Sequence, residues 1–173
     1  MKLFLNILFT LVAAALAIWL FFIIREPIKL KAENKIKKDA ITSRLENVKI
    51  AQFAYKDAKG YYSDHWDSLI FVCKFDSVLI LKKIGDPDDT TIVSTVDTLY
   101  ERITTKFPVD FYFDSLKYVP YTGGAIFELE AGIINQRGVD VHVFQVSDSK
   151  PFDPEHPLIL GSMTEANTSG NWK

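Results

Sequence analysis

The sequence predicts an α+β protein in which one N-terminal membrane helix carries a compact domain. Three observations support this fold class. Residues 3–24 contain no charged side chain, and residues 28–58 contain no glycine or proline and repeat apolar residues at helical spacing. From residue 77 onward, β-branched and aromatic residues occur in short runs. We therefore expect a transmembrane helix that continues into a long amphipathic helix packed on an antiparallel β-sheet.

The apolar run at residues 3–24 is long enough to cross a bilayer. Its only polar side chains are Asn6 and Thr10, and its 22 residues span roughly 33 Å, against about 30 Å for the hydrocarbon core. The small-x-small pattern at residues 15–17 also fits a cleaved signal peptide. Because cleavage there would leave an apolar stretch as the new N-terminus, we favour an uncleaved anchor over residues 1–24.

Residues 25–60 are expected to form a helical stalk and residues 61–173 a β-rich head. Glu26-Pro27 predicts a kink or a restart of the helix, because proline removes a backbone donor and restricts the residue before it. Gly60 is expected to end the helix next to its C-cap. The apolar stripe of the stalk consists of Ile41, Leu45, Val48, Ala51 or Gln52, and Tyr55.

The head begins with a short helix predicted at residues 65–75, with Ser63 or Asp64 as its N-cap. The segments after it are expected to form an antiparallel meander of neighbours joined by tight turns. The runs lie at residues 78–84, 91–103, 111–113, 116–119, 125–134 and 139–146, and the turns at 85–89, 122–124 and 135–138. Residues 147–173 are interpreted as a loop-rich tail that closes on Trp172.

Charge is distributed unevenly along the chain. Residues 25–50 contain eight Lys/Arg and four Asp/Glu, whereas residues 51–173 contain eleven and eighteen. The acidic domain argues against nucleic acid as a partner, because a phosphate-binding face needs clustered positive charge. Basic residues beside a membrane helix are instead expected to meet anionic lipid headgroups.

Two arguments about membrane orientation conflict, so the side of the membrane stays open at this point. Only Lys2 precedes the apolar run, and the positive-inside count favours a cytoplasmic domain. The basic residues after the run are Arg25, Lys29, Lys31, Lys35, Lys37 and Lys38. However, a two-residue N-terminus before an apolar run resembles the entry end of a signal anchor, and long domains translocate against the charge bias.

Several segments resemble type IV pilins and type II secretion pseudopilins. The resemblance rests on residues 44–56, on Gly60-Tyr61-Tyr62, on Trp66-Asp67-Ser68-Leu69 and on residues 168–172. The chain is also similar to uncharacterised membrane-anchored proteins of the Bacteroidota. The resemblance implies a pilin-like fold. It also implies a non-enzymatic structural or adaptor subunit of a bacterial cell-envelope complex of the secretion or pilus type.

One departure from the pilin pattern concerns the prepilin peptidase site. The family carries a glycine, an aromatic residue and a glutamate there, whereas residues 1–10 contain neither Gly nor Glu. In the family, that glutamate neutralises a neighbour's N-terminal amine inside the filament. The resemblance therefore implies a single-pass protein that stays in the inner membrane with its C-terminal domain in the periplasm. Its expected partners are membrane lipid, other envelope-complex membrane proteins, or copies of itself through the N-terminal helix.

No arrangement of catalytic, cofactor-binding or metal-ligating residues is predicted. Cys73 is the only cysteine and lies in an apolar run, which indicates a buried and inert thiol. His65, His142 and His156 are widely separated, and none has a second histidine at helical ligand spacing. The motifs of serine hydrolases, phosphate-binding loops and zinc proteases are absent. We therefore expect neither enzyme activity nor a cofactor.

Two acidic clusters suggest a calcium hypothesis, which is the weaker alternative. They consist of Asp86, Asp88 and Asp89 in one turn, and of Asp153, Glu155 and Glu165 with Asn167 and Asn171 in the tail. Some pseudopilins hold calcium in C-terminal loops, but the spacing here fits no calcium-loop template. Solvated loops are therefore favoured. Asn167-Thr168-Ser169 also fits the N-glycosylation triplet, which matters only in a eukaryotic secretory context.

Six aromatic residues exceed what a small core requires on one face. They are Tyr61, Tyr62, Trp66, Phe111, Phe113 and Tyr121. Aromatic residues are favoured at interfaces, although core packing is the expectation for most of these six. The rival to the adaptor hypothesis is a monomeric anchored module that captures a small ligand or peptide along its sheet. A pocket lined by convergent polar groups would support that rival.

Overall fold

A computed structural model describes residues 2–84 and 95–172 of the chain. Side chains are described over the same residues except at 2–6, 17, 22, 24, 26–28 and 79–99. The chain divides into two compact units, residues 1–39 and residues 40–173. Across the described part of the chain, no helix combines the length and the apolar character needed to cross a membrane.

The first element, α1, is one continuous helix over Lys2–Lys59. Of the kink or restart predicted at Glu26-Pro27, the restart is wrong, because the helix runs through Pro27, whereas the kink stays a prediction. A proline removes a single intrahelical hydrogen bond, and the bonds of the turns on either side carry the helix across it. At the other end, Gly60 has a φ of +89° and donates its N–H to the Lys56 carbonyl, 2.7 Å away. This left-handed conformation, which glycine tolerates, ends α1 where the sequence predicts.

The part of α1 that belongs to the C-terminal unit buries the predicted apolar stripe. Its buried residues are Ile41, Leu45, Val48, Ala51, Gln52, Ala54 and Tyr55. Most are spaced by three or four positions, so they share one side of the helix. This confirms the prediction of an amphipathic helix over that segment.

The second helix, α2, covers Trp66–Phe75 and confirms the short helix predicted at residues 65–75. Its N-cap is His65, not Ser63 or Asp64, and this residue makes no side-chain capping bond. The Ser63 hydroxyl is occupied in the preceding loop, where it accepts the His65 N–H at 3.3 Å and donates to the His65 carbonyl at 2.9 Å. The buried residues of α2 are Leu69, Ile70, Val72 and Cys73.

The strands form two small antiparallel sheets rather than one meander. In the first sheet, β1 (Ser77–Ile84) pairs with β2 (Thr95–Arg102). In the second, the order is β3 (Glu128–Gln136), β4 (Val139–Ser147) and β5 (Ile159–Gly161). The turn predicted at residues 85–89 and the first part of the run predicted at 91–103 lie outside the described residues.

The segment between the two sheets differs most from the prediction. In place of strands at residues 111–113 and 116–119, it contains 3-10 helices at Ile103–Lys106 and Phe113–Ser115 and one isolated bridge between Tyr118 and Ile126. Asp110, which follows Pro108 closely, has a φ of +63°. This left-handed residue turns the chain, so the aromatic run after it cannot continue as an extended strand.

The tail is more ordered than a loop. The strand β5 pairs with β4, and Leu160 also bridges to Gly170 on its other side. At Gly161, with a φ of +78°, an added Cβ would collide with the Phe144 carbonyl, so only glycine fits there. Trp172 packs against the core, which confirms that the tail closes on this residue.

The core of the C-terminal unit lies between the helices and the second sheet. The Phe53 ring of α1 meets the Phe144 ring of β4 edge to face at 6.4 Å, and Tyr62 lies 4.6 Å from the same ring. The Trp66 indole donates to the Phe127 carbonyl at 2.9 Å and so joins α2 to the start of β3. These contacts confirm an α+β fold with helices packed on antiparallel strands.

Candidate interaction surfaces

The N-terminal unit exposes apolar side chains around its helix. Phe9 and Trp19 are the most exposed, at 75% and 65%. Ile7, Leu8, Leu11, Val12, Leu16, Ile18, Leu20, Phe21 and Ile23 are also exposed. These positions point in every direction around an α-helix, so the described part of the run has no polar face. A helix that is apolar on all sides is stable against lipid or against other apolar helices.

A basic segment follows this apolar surface. Arg25 is exposed, and its guanidinium lies 5.6 Å from the centre of the Phe21 ring. Lys29, Lys31 and Lys35 are exposed further along the helix. These exposed cations directly follow the apolar surface along α1.

The C-terminal unit has a groove of about 350 Å³ between the loop after α1 and the β3–β4 hairpin. Its lining consists of Tyr61, Tyr62, Asp64, Ala131, Gly132, Ile133 and His142. The Tyr61 ring lies 6.5 Å from the His142 ring, and Ile133 is 60% exposed. The groove therefore combines an apolar wall with one carboxylate and one imidazole. We call it the Tyr61 groove.

One wall of the Tyr61 groove is held by a buried amide. Gln52 donates its Nε2–H to the Ser63 carbonyl at 2.8 Å and accepts the Ser63 N–H on Oε1 at 3.0 Å. Both residues are buried. The Gln52 amide therefore supplies hydrogen-bond partners to the Ser63 N–H and carbonyl, which would otherwise have none inside the protein. The loop that carries Tyr61 and Asp64 is thereby fixed to α1.

The other wall is the β3–β4 hairpin, whose register is set by its turn. Arg137 and Gly138 form a two-residue loop with φ values of 54° and 82°, as in a type I′ turn. Asn135 braces the loop by accepting the Gly138 N–H at 3.1 Å and by donating to Asp140 at 2.7 Å. The predicted turn at residues 135–138 is therefore confirmed, and the hairpin is a defined wall.

A second recess, of about 440 Å³, lies beside the loop at residues 104–113. Three rings pack along it. Phe107 and Phe111 stack at a centroid distance of 5.0 Å, and Phe113 meets both edge to face, at 5.0 Å from Phe107 and 5.3 Å from Phe111. The side chain at its tip is Val109, which is 92% exposed. Three of its four aromatic and proline side chains therefore pack on one another, and the rest of the lining includes Thr104, Thr105 and Asp110.

The six aromatic residues singled out in the sequence divide into two groups. Tyr62 and Phe113 are buried, and Trp66 and Phe111 pack against the core, as expected for most of them. Tyr61 and Tyr121 are exposed, at 48% and 67%. The burial pattern therefore leaves Tyr61, beside its groove, and Tyr121, on a glycine turn, as candidate contact residues.

The residues with potential catalytic chemistry are dispersed. Cys73 is buried, and burial raises the pKa of its thiol to about 12, which confirms an inert thiol. His65 is exposed, His142 lines the Tyr61 groove, and the Nδ1 of His156 lies 3.1 Å from an Asp153 oxygen. These positions bring no two histidines together.

The acidic tail uses its polar groups locally. Asn167 accepts the Ser169 N–H at 2.8 Å, while Asn171 accepts the Ile159 N–H at 3.1 Å and donates to the Pro157 carbonyl at 2.8 Å. Within residues 2–84 and 95–172, no three His, Cys, Asp or Glu side chains are grouped so as to hold a metal ion. The cluster of Asp86, Asp88 and Asp89 lies outside the described residues.

Asp148 is a buried carboxyl that sequence reasoning missed. Its Oδ1 accepts the Lys150 N–H at 2.9 Å, but its Oδ2 has no hydrogen-bond partner. Burial raises the pKa of this carboxyl above its usual range. No signal in the sequence distinguishes Asp148 from the other acidic residues of the tail, because its burial depends on contacts with distant residues such as Leu158, whose carbonyl accepts the Asp148 N–H at 3.2 Å.

No protein-family model, no curated protein and no solved structure matches this chain. Arguments about function therefore rest on the surfaces described above.

Proposed function

We propose that the protein is a non-enzymatic, membrane-anchored structural or adaptor subunit of a bacterial cell-envelope complex, with a pilin-like arrangement. In this proposal, residues 1–24 span the inner membrane and pack with lipid or with partner helices. The C-terminal unit lies in the periplasm and contacts the soluble domains of partners.

The observation that carries the proposal is the apolar N-terminal run. It has 22 residues without a charge, and large side chains such as Phe9, Leu11, Leu16 and Trp19 are more than half exposed. Exposure of this extent on one helix is unstable in water, whereas in lipid each of these side chains is favourably placed. Basic residues follow the run directly, as expected beside anionic headgroups.

Two features of the C-terminal unit support a structural rather than a catalytic role. Its buried residues form one apolar cluster that extends from Ile41 on α1 to Leu160 on β5. Its one thiol is inert, and its histidines are dispersed. A head with a complete core and an exposed aromatic groove is suited to binding, for which the Tyr61 groove is the best surface.

Membrane fractionation of the full chain tests the anchor. The double variant Leu11→Arg/Leu16→Arg places two charges in the middle of the apolar run, at a cost of about 2.5–3.5 kcal/mol each in the centre of a membrane helix. We expect this variant to leave the membrane fraction, measured by carbonate extraction and flotation. Ile36→Arg is the matched control, because Ile36 is equally exposed on the same helix but lies outside the apolar run. Retention of the double variant in the membrane would contradict the anchor.

A topology measurement tests the location of the head. A reporter active only outside the cytoplasm and a second reporter active only inside it are each fused after Lys173. Activity of the first alone supports a periplasmic head and justifies cross-linking to secretion or pilus components. Activity of the second alone contradicts the envelope proposal and agrees with the positive-inside count.

A monomeric anchored binding module is the second candidate, and the Tyr61 groove is the observation that favours it. Asp64 and His142 converge on a groove that also offers the exposed faces of Tyr61 and Ile133. A few polar groups on an apolar wall are typical of sites for small ligands and peptides. Sedimentation of the detergent-solubilised chain separates the two candidates, since an obligate structural subunit is expected to associate and a binding module to remain monomeric.

A further inference from the structure

The outer edge of strand β3 is unpaired. This strand has nine residues, and all nine are in register with β4 on its inner edge. Among the described residues, no strand pairs with its other edge, and no loop makes a backbone hydrogen bond to it. A free edge of this length is a template for an additional strand.

The hairpin turn determines which backbone groups face the open edge. In a two-residue hairpin, the residues that flank the turn exchange hydrogen bonds, and bonded and non-bonded pairs then alternate along the strands. Gln136 pairs with Val139 across the turn, so the even-numbered residues of β3 bond to β4. The residues whose N–H and C=O groups point to the open edge are Leu129, Ala131, Ile133 and Asn135.

Strand β3 has only part of the usual protection of an edge strand, namely the charges of Glu128 and Glu130. It contains no proline and no lysine, and its register shows no bulge. At its centre is Gly132, where an added Cβ would lie 3.1 Å from the Met163 Cε of the same chain. Ala131, Gly132 and Ile133 also line the Tyr61 groove. An added strand would therefore lie beside the groove and place alternate side chains in it.

The charge of β3 selects the kind of strand that can be added. Glu128 and Glu130 are exposed on the face opposite to Ala131 and Ile133. Neither forms an ion pair with a described residue. If two copies paired through this edge in a register that places Glu128 of one copy opposite Glu130 of the other, these carboxylates would repel, because like charges across strands are destabilising. A strand with basic residues opposite Glu128 and Glu130 is favoured instead.

We propose that the open edge of β3 binds an extended segment of a partner protein in which basic residues alternate with apolar ones. The basic residues pair with Glu128 and Glu130, and the apolar residues on the other face reach the Tyr61 groove. This inference deepens the proposed adaptor role and rests on it for its biological setting. The binding itself depends only on the C-terminal unit.

The probe is a fluorescein-labelled nonapeptide of alternating lysine and valine, with blocked ends, mixed with the full chain in detergent at low ionic strength. Its length matches the nine residues of β3. We expect saturable binding by fluorescence anisotropy and at least tenfold weaker binding of the matched glutamate–valine peptide. Equal binding of the two peptides would contradict the proposed charge selection.

Two variants of the chain locate the site. Glu128→Gln/Glu130→Gln is expected to weaken probe binding about fivefold, because each exposed charge pair contributes modestly, and the difference should shrink as salt is raised. The matched control is Glu155→Gln/Glu165→Gln, which removes two exposed carboxylates of the tail and should leave binding unchanged. Ala131→Pro removes one outward N–H and should weaken binding at least tenfold, while the pairing with β4 is retained.

Hydrogen exchange on the unmodified chain decides the matter even if Ala131→Pro fails to fold. We expect the probe to slow exchange of the Leu129, Ala131 and Ile133 amides specifically. Protection at other positions with none on β3, or dimerisation of the chain without probe uptake, would overturn the inference. The peptide assay is performed in detergent and does not depend on insertion into a membrane. A negative result in it therefore does not contradict the membrane-fractionation result, and loss of the anchor does not contradict peptide binding.

Discussion

The two parts of helix α1 both contain many apolar residues but place them in opposite ways. Over residues 7–23, every large apolar side chain that the structure describes is exposed, and these side chains lie all around the helix. Over residues 41–55, the apolar side chains form one stripe, and most of that stripe is buried. The difference lies in the polar residues between them, which are nearly absent in the first part and frequent in the second.

This contrast shows that helix formation and burial are separate questions. Both parts are helical, and neither contains a glycine or a proline that would break the helix. The position of the polar residues decides what surrounds each part. A polar face restricts the second part to packing on one side, whereas the first part has no polar face that would define one side.

Removing one leucine from each part gives the largest expected contrast. Leu45→Ala should lower the free energy of unfolding by about 3 kcal/mol, because Leu45 is fully buried and its loss leaves a cavity. Leu11→Ala is the matched control and should change it by less than about 0.5 kcal/mol. Urea titration of the full chain in detergent, followed by tryptophan fluorescence, measures both. Equal losses of unfolding free energy in the two variants would contradict the difference in burial between the two parts.

The next prediction concerns the buried side-chain amide of Gln52, in the second part of α1. Gln52→Leu should cost about 2 kcal/mol, because the Ser63 N–H and carbonyl lose their partner inside the protein. Gln136→Leu, on an exposed glutamine, is the matched control and should have little effect. The Gln52 variant should also loosen the loop of Tyr61, seen as faster hydrogen exchange at residues 61–64. Unchanged exchange there would mean that other contacts hold the groove wall.

The smallest expected effect concerns Asp148. Its pKa is raised in the folded state, so the folded protein binds this proton more tightly than the unfolded chain does. The stabilisation from the protonated form is present below the unfolded pKa of about 3.9 and is lost as pH rises through the folded pKa. Asp148→Asn should therefore be more stable than the parent by about 1 kcal/mol at pH 8 and should lack this pH dependence. Asp110→Asn, on an exposed carboxyl, is the control, and urea titration at several pH values measures the difference. A parent and variant with parallel pH profiles would contradict this assignment.

Local patterns predicted the elements whose signals lie within a few residues. The stripe from Ile41 to Tyr55 follows from spacing alone, and the turn at Arg137-Gly138 follows from the chemistry of positive φ. The errors arose where distant contacts decide the outcome. Strand β5 has only three residues, so it has no period of its own and exists because β4 pairs with it.

The Tyr61 groove could not be predicted from the sequence, because it too depends on contacts between distant residues. Its walls come from residues 61–64 and from residues 131–142, which are brought together only when the hairpin packs on α1. Tyr61 was singled out as a candidate interface residue, but nothing near it in sequence indicated His142 as its neighbour. The N-cap of α2 shows the same limit on a smaller scale, since Ser63 is drawn away from capping by its bonds to His65.

The edge-to-face contact between Phe53 and Phe144 has a consequence for synthesis of the chain. The two rings are 91 positions apart in the sequence. At about 5–20 residues per second, the ribosome produces the second ring roughly 5–18 s after the first. During that interval Phe53 has been made without Phe144, so α1 and β4 cannot yet pack on each other through this contact. This part of the core therefore closes only after the β3–β4 hairpin has been synthesised.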